Sequence, residues 1–491
     1  MIELTLAELA RLVGGRLHRA TGDERITGTV EFDSRAVTPG GLFVALPGER
    51  VDGHAFATTA VAAGAAGILA AREVDGPAVL VEPLTDAHVP DAAHDASGAA
   101  VLVALQTLAR HVADALPQLG IVGITGSSGK TSTKDLVAAL LERDGPTVAP
   151  PGSFNNELGH PWTVLRADTA TKHLVLELSA RGRGHIAALC RVAPPRIGAV
   201  LNVGSAHLGE FGSREAIAQA KGELVEALPA AADGGVAVLG ADDPVVAAMR
   251  ARTAARVVHA GRAPEADVRA VDETIDPEGR ARFRLVTPAG EADVALGLRG
   301  AHQVDNALVA AAIALEATGL DVGTIAAALG AAVPRSRWRM EVGERPDGVR
   351  VLNDAYNANP ESMRAALATL AAMGAGEGGS RIAVLGAMAE LGDDADAAHA
   401  ELGRLAASTG LHRLVVVGEA ARGVHEAARA AGLSSDLVPD AASAVEAVHP
   451  EPGDVVLVKA SRSAGLEKVA EALLATWSAA ELAHGRAGDT Q

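Results

Sequence analysis

Residues 125–131 read Thr-Gly-Ser-Ser-Gly-Lys-Thr, between an apolar run, Leu119–Ile124, and a segment of helical pattern, Lys130–Leu141. Glycines in such a loop let consecutive backbone N–H groups turn toward one oxyanion, and the N-terminus of the following helix adds its dipole. Gly126, Ser127, Ser128 and Gly129 would form the cradle, Lys130 would neutralise the β/γ-phosphates of a nucleotide, and the Thr131 hydroxyl would reach Mg2+. The strict Walker pattern has glycine where this chain has Ile124, so the loop is a variant. An ion held by a loop hydroxyl needs a carboxylate from a neighbouring strand end. Glu177 fits that need, because it closes the otherwise apolar run Leu174–Leu178, where an unpaired charge is costly. Further on, His207 follows Gly204-Ser205-Ala206, and Lys221 lies in the helical stretch Gln219–Glu223. Taken singly, the first reads as a loop histidine and the second as a solvated surface charge.

A parallel sheet must position these residues, and the chain divides into three regions of different rhythm. Residues 1–98 open with an amphipathic helix, Leu4–Val13, closed by Gly14-Gly15. Strands are expected at Leu42–Leu46 and Ile68–Ala71, a helix at Phe56–Ala63, and a polar loop over Glu82–Ser97. Residues 99–333 carry a helix near Val101–Leu116 and buried-strand runs at Leu119–Ile124, Leu174–Leu178 and Ile197–Val203. Alternation between Asp267 and Leu298 predicts an antiparallel meander, followed by alanine-rich helices at His302–Ala317 and Val322–Leu329. Residues 334–491 alternate helices with strands at Val349–Asn353, Ile382–Leu385, Leu414–Val417 and Val455–Val458. That region reads as Rossmann-like, without the Gly-x-Gly-x-x-Gly turn of a dinucleotide site. The fold class is therefore α/β in three domains: a small N-terminal one, a central phosphate-loop domain and a C-terminal one. The linker Ala331–Ser336, with Pro334, is the expected hinge.

Composition narrows the chemistry. Over 491 residues, 43 Lys and Arg face 61 Asp and Glu, a formal net charge of −18. Such a chain is a poor nucleic-acid binder, and an anionic substrate would need its own local cations. The single cysteine, Cys190, excludes an internal disulfide and fits a reducing cytoplasm. Met1–Thr5 lacks the basic start and apolar core of a signal peptide, and no stretch reaches the roughly 18 apolar residues that span a bilayer. A cytoplasmic monomer without membrane insertion is expected.

Several motifs together resemble the Mur ligases, the ATP-dependent amino-acid ligases of peptidoglycan precursor synthesis. They are the loop Thr125–Thr131, Ser153-Phe154-Asn155-Asn156-Glu157-Leu158-Gly159, Glu177, Asn202–His207 and Ala220-Lys221-Gly222-Glu223, in the family's order. Asp354-Ala355-Tyr356-Asn357-Ala358-Asn359-Pro360 with Ser362-Met363, Gly386–Gly392 and Lys459–Arg462 are similar to the branch that adds D-alanyl-D-alanine to UDP-N-acetylmuramoyl-tripeptide. Asp33-Ser34-Arg35, Pro39–Leu46 and Asp52-Gly53-His54 are shared with the branch that adds the third residue, whose Asn-Pro-Arg motif is missing here. Ala460 stands where the family has glycine, and Glu82–Asp95 is longer than the usual connection. The alternative readings are another Mur-type ligase (of the third-residue branch, or polyglutamate- or cyanophycin-forming) and a switch that only hydrolyses ATP.

The resemblance implies ATP-driven amide formation through an acyl phosphate, with residue roles to match. Thr131 and Glu177 would hold one Mg2+, and His207 with Lys221 a second. An ammonium cannot ligate a metal, so Lys221 would act as a carbamate formed with CO2. Lys130 and Arg339 would act on the phosphates, with Arg335 and Arg337 competing for the latter role. His302 and Asn306 would contact adenine, with Asp354, Tyr356 and Asn357 closing on the ribose and adenine. Ser34 and Arg35 would take the uridine diphosphate end, Asn155 and Asn156 the central cleft, and Lys459 and Arg462 the carboxylate of the incoming dipeptide. His399 reads as structural.

Overall fold

Apolar runs without alternation fill strands covered on both faces. With the alternating meander strands they build the three larger of four sheets in the computed structural model, which describes residues 1–48, 51–84, 93–205, 208–376 and 378–475; the fourth pairs Leu4–Thr5 with Arg25–Ile26. The first sheet orders Arg16–His18, Ala78–Leu80, Gly67–Ala70, Leu42–Val44 and Val30–Glu31, parallel apart from its first pair. The second has nine strands and runs from the meander (Gly290–Arg299, Arg280–Thr287, Val268–Ile275) through Arg256–Gly261, Val236–Gly240 and Ile197–Val200. It continues through Gly120–Thr125 and His173–Glu177 to Thr147–Val148, and only the meander pairings are antiparallel. The third orders Glu341–Glu344, Arg350–Asn353, Val455–Lys459, Arg381–Gly386, Arg413–Val417 and Ser435–Val438, with an antiparallel first pair. The architecture is the expected α/β one, and the meander continues the central sheet.

Local chemistry explains where the elements depart from expectation. The first helix starts at Leu6, because Thr5 caps it in a capping box with Glu8, and Gly14 ends it at φ 66°. The helix expected near Val101 spans Ala96–Ala115, so Ala96 and Ser97 are helical and not loop; Asp95 caps it by accepting from Gly98 N at 2.7 Å. Residues 85–92 of the expected loop lie outside the described residues. By length and composition this helix could cross a bilayer, contrary to expectation. Most of it is buried, packed on the helices Leu6–Val13, Gly159–Val164 and His185–Val192. The strand expected over Ile197–Val203 stops at Val200, leaving 201–205 free to cross over the phosphate loop. The expected hinge is anchored at its far end, where Arg335 pairs with Glu142 and Ser336 N donates to Asp135, both acceptors lying on or just past the helix Lys130–Leu141.

One aromatic cluster ties the first sheet to the second. The Trp162 ring lies 5.7 Å from Phe32 and 4.7 Å from Phe154, with the Arg166 guanidinium 4.9 Å above it. Its Nε1 donates to the Val30 carbonyl at 2.8 Å and to Glu31 Oε2 at 3.2 Å. Burial pushes the Glu31 carboxyl up, so the Trp162 donor is needed there. Trp162→Phe, which keeps the ring and removes the donor, should cost about 1–3 kcal/mol. Trp162→Ala should cost about 3–5 kcal/mol. Urea unfolding measures both, and a Phe variant as stable as the parent would show that the donor contributes nothing.

Candidate active site

Three strand ends come level at one place. Glu177 pairs in register with Ile124, and Val200 with Thr125, so the carboxyl ends of His173–Glu177, Gly120–Thr125 and Ile197–Val200 open together. Chain order reverses across this point, which is where open α/β sheets bind ligands. A cavity of about 710 Å³ lies there, lined from below by Ser127–Ser132 and from above by Arg339, Asp354, Tyr356, Asn357, Lys459 and Arg462. Both the second and third sheets therefore wall it.

The helix Lys130–Leu141 begins after Gly129, whose φ of 82° favours glycine, and a Cβ there would meet Asn306 Oδ1 at 2.4 Å. Lys130 Nζ turns back on the Gly126 carbonyl at 2.7 Å. Glu177 is 1% exposed. It is therefore no frayed-end charge, and it collects three donors: Thr131 Oγ1 at 2.9 Å, Ser153 Oγ at 2.8 Å and Asn155 Nδ2 at 2.7 Å. Asn156 lines the cavity while its Oδ1 accepts from Gly159 N at 2.9 Å.

Lys221, on the helix Arg214–Glu226, overturns its reading as a solvated charge: it is 3% exposed. Burial and then the like charge of Lys130 push its ammonium well below the usual lysine range. No hydrogen bond to its side chain occurs among the described residues. His207 lies outside the described residues. Among those described, no group of three or more His, Cys, Asp and Glu is gathered to hold a metal. The Thr131–Glu177 pair nonetheless suits an ion that takes its other ligands from phosphate oxygens and water.

His302 opens the helix His302–Ala317, where burial lowers its pKa to about 4, and its Nδ1 meets no partner among the described residues. Asn306 accepts from Thr133 Oγ1 at 3.1 Å and donates to Gln303 Oε1 at 2.8 Å. Both residues line the cavity. Of the three competing arginines, Arg335 pairs with Glu142 and Arg337 with Glu471, whereas Arg339 Nη2 donates to Thr131 Oγ1 at 3.1 Å. Its guanidinium also stacks 3.9 Å from the Tyr356 ring centre. Trp338 (φ 58°) and Met340 (φ 52°) are both left-handed, a conformation costing non-glycine residues about 1–2 kcal/mol each. That double turn aims Arg339 into the cavity, and Met340 N, donating to Asp354 Oδ1 at 3.0 Å, helps hold it.

Lys459 lines the cavity, but its ammonium has partners inside the protein. It is 2% exposed, and its Nζ donates to Asp354 Oδ2 at 2.5 Å and the Asn357 carbonyl at 2.8 Å, so its charge is committed inside the protein. Arg462 lies over the Trp338 ring at 4.2 Å, pairs with Glu467 at 2.9 Å and keeps half its side chain exposed to the cavity. Ser34 is buried and Arg35 is exposed and paired with Asp33; neither lines this cavity. His399 accepts from Met388 N at 3.0 Å and faces the Ala395 carbonyl, a structural placement. Sequence reading gave no role to Asn202 of the Asn202–His207 motif, whose Oδ1 accepts from Ser127 N at 3.1 Å and Ser128 N at 2.9 Å, nor to Glu361 and Gln303, which also line the cavity. Position just past a buried strand run was the available signal for Asn202.

Comparison with known proteins adds the family. Residues 27–115 match the Mur ligase family catalytic domain, 124–314 the Mur ligase middle domain and 338–462 the Mur ligase glutamate ligase domain. The chain is 54% identical to the UDP-N-acetylmuramoyl-tripeptide--D-alanyl-D-alanine ligase of Mycobacterium tuberculosis, over 97% of this chain and 98% of that one. It superposes on a crystal structure of MurF from Acinetobacter baumannii with a TM-score of 0.80 at 30% identity, over 96% of this chain and 99% of that one. The MurF ligase of Thermotoga maritima in complex with ADP superposes with a TM-score of 0.72 at 29% identity, over 91% and 97%.

The commitment of Lys459 to Asp354 is testable without substrate. Asp354→Ala leaves a buried ammonium without its counter-charge and should cost about 3–5 kcal/mol. Asp354→Ala combined with Lys459→Met should recover a good part of that loss. Thermal unfolding reads both, and a single variant as stable as the parent would show that Asp354 does not hold Lys459.

Proposed function

This chain belongs to the Mur ligase family, and on that premise we propose that it joins D-alanyl-D-alanine to UDP-N-acetylmuramoyl-tripeptide at the expense of ATP. The product is the UDP-N-acetylmuramoyl-pentapeptide, with ADP and phosphate released. The 54% identity over nearly the full length of a relative with that printed activity carries the choice of reaction. A cleft walled by a phosphate loop on one side and by the 354–359 segment on the other supports it. In this reading residues 1–98 hold the UDP end, 99–333 the ATP and 334–491 the dipeptide. The three sheets, within Arg16–Leu80, Gly120–Arg299 and Glu341–Lys459, suit that division.

A terminal carboxylate oxygen of the tripeptide attacks the γ-phosphorus, and the bond to the β–γ bridging oxygen breaks as ADP leaves. The dipeptide amine then attacks the acyl carbon, loses a proton, and phosphate departs as the amide forms. Two anions have to meet first, so cations aimed at the phosphates should carry much of the stabilisation. Lys130 and Arg339, both lining the cavity, would do this. Mg2+, where bound, would supply further charge neutralisation, and Thr131 with Glu177 would hold it. Ser153 and Asn155 keep the Glu177 carboxylate oriented. His302 offers a ring nitrogen without a partner among the described residues, and Tyr356 a ring beside Arg339, to the nucleoside. Arg462 is the exposed fork for a dipeptide carboxylate. Ser34 and Arg35 remain assigned to the uridine diphosphate end.

For Lys221 the reading is a carbamate. An amine buried beside Lys130 with no acceptor among the described residues is poorly served as an ammonium, and capture of CO2 would place a negative charge next to Lys130. With His207 it would then provide a second metal site.

Two experiments test these statements. Protein incubated with ATP, Mg2+, the tripeptide and D-alanyl-D-alanine should give a product whose mass is the sum of the two substrates less water, and none without ATP. Steady phosphate release with no such product would refute the ligation. Lys221→Ala should lose at least 100-fold in kcat, about 2.7 kcal/mol, and regain part of it with added short-chain carboxylates. A fully active Lys221→Ala would remove the carbamate from the scheme.

A further inference from the structure

The segment 201–205 makes contacts that the roles above do not use. At one end Asn202 Oδ1 accepts from the backbone N–H groups of Ser127 and Ser128, and its Nδ2 donates to the Ser128 carbonyl at 3.2 Å. Next to it Gly204 N donates to Ser127 Oγ at 2.9 Å. At the other end Ser205 donates from its N–H at 2.9 Å and from its hydroxyl at 3.0 Å to Glu361 Oε1, with Oε2 at 3.1 Å from the same hydroxyl. Glu361 stands in the first turn of the helix Pro360–Ala372, in the third sheet's layer, while the phosphate loop belongs to the second. One short segment thus links a carboxylate of the C-terminal part to the backbone of the phosphate loop.

We propose that Glu361 is a positioning residue for the ligation, which fixes the phosphate loop through Ser205, Gly204 and Asn202 when the C-terminal part closes over the cavity. Charge-assisted hydrogen bonds to a backbone N–H and a hydroxyl are stronger than neutral ones and have a narrow geometry. They form only when the third sheet's layer sits as it does here. Closure held in this way would keep water from an acyl phosphate while the amine approaches.

Two variants break the contact by different routes. Glu361→Ala removes the carboxylate. Gly204→Ala would set a Cβ 2.7 Å from Glu361 Oε1 and so push the carboxylate off Ser205, at a position whose backbone accepts alanine. In both, kcat for ligation should fall about tenfold, about 1.4 kcal/mol, with an unchanged melting temperature. The phosphate released per amide formed should rise above one. Ser205→Ala added to Glu361→Ala should cause no further loss, because the two act as one contact. Small-angle scattering with a non-hydrolysable ATP analogue and Mg2+ reads closure without chemistry: the wild type should contract, and both variants should stay extended. Wild-type kcat, ratio and scattering in the two variants overturn the proposal. So does a fall in kcat that follows a lowered melting temperature at a ratio of one. Because the inference leans on the ligase reading only for its turnover, a wild type that contracts but forms no amide refutes that reading and leaves the scattering comparison to decide on Glu361.

Discussion

A carboxylate buried at the end of a parallel strand has to be satisfied, and the arrangement around Glu177 follows from that need. Leaving it unpaired would cost several kcal/mol. Its three donors come from the phosphate-loop helix (Thr131) and from the 153–155 segment (Ser153 and Asn155). Satisfying Glu177 therefore fixes both segments around the end of the strand. Thr131 in turn accepts from Arg339, so the third sheet is drawn onto the same hydroxyl. The contact that would position a metal also locates the domains.

The site is electrostatically uneven, in a chain whose net charge is −18. Lys130 and Lys221 both lie below the ordinary lysine range: at Lys130 burial lowers it, Glu177 works against that and Arg339 adds to it, and at Lys221 burial is joined by the charge of Lys130. Burial is the larger cause in both. Such a cluster is incomplete as protein alone, and anionic groups would relieve it. The left-handed pair Trp338 and Met340 adds conformational cost in the same place, and strain of this kind persists only where the surroundings over-determine it. Here the surroundings are the Asp354–Met340 bond, the Glu341–Trp338 bond and the stack of Arg339 on Tyr356.

Much of this was legible from periodicity. The helices Lys130–Leu141 and His302–Ala317 and the three meander strands fall where pattern and turn residues put them, because their signals are local. Short strands such as Arg16–His18 and Val30–Glu31 were not, since two or three residues carry no period and pairing alone makes them strands. The burial of Lys221 was also hidden, because a lysine in an alanine-rich helix looks solvated until the packing partner is known. Arg339 could not be separated from Arg335 and Arg337 by spacing: what distinguishes them is a backbone turn that leaves no mark on composition. The pairing of Lys459 was hidden too, as its partner Asp354 is far away in sequence.

Closure has geometric limits that follow from these contacts. The linker is anchored through Arg335 and Ser336 to the phosphate-loop helix and its end, so the third sheet's layer can pivot only after Ser336. From that pivot it touches the phosphate-loop region through Arg339 at Thr131 and Glu361 at Ser205, and it meets the rest of the central part where Gly374 N donates to the Pro277 carbonyl at 2.9 Å, Arg350 pairs with Glu278 at 3.5 Å and Gly209 N donates to the Glu390 carbonyl at 3.2 Å. A body held by one linker and one contact can still rotate about the line joining them. A second contact removes that freedom. Arg339 alone would bring a positive charge to the loop at a range of angles, whereas Arg339 and Glu361 together with the Gly374, Arg350 and Glu390 contacts admit one, in which the Lys459–Asp354 pair and Arg462 stand over the cavity.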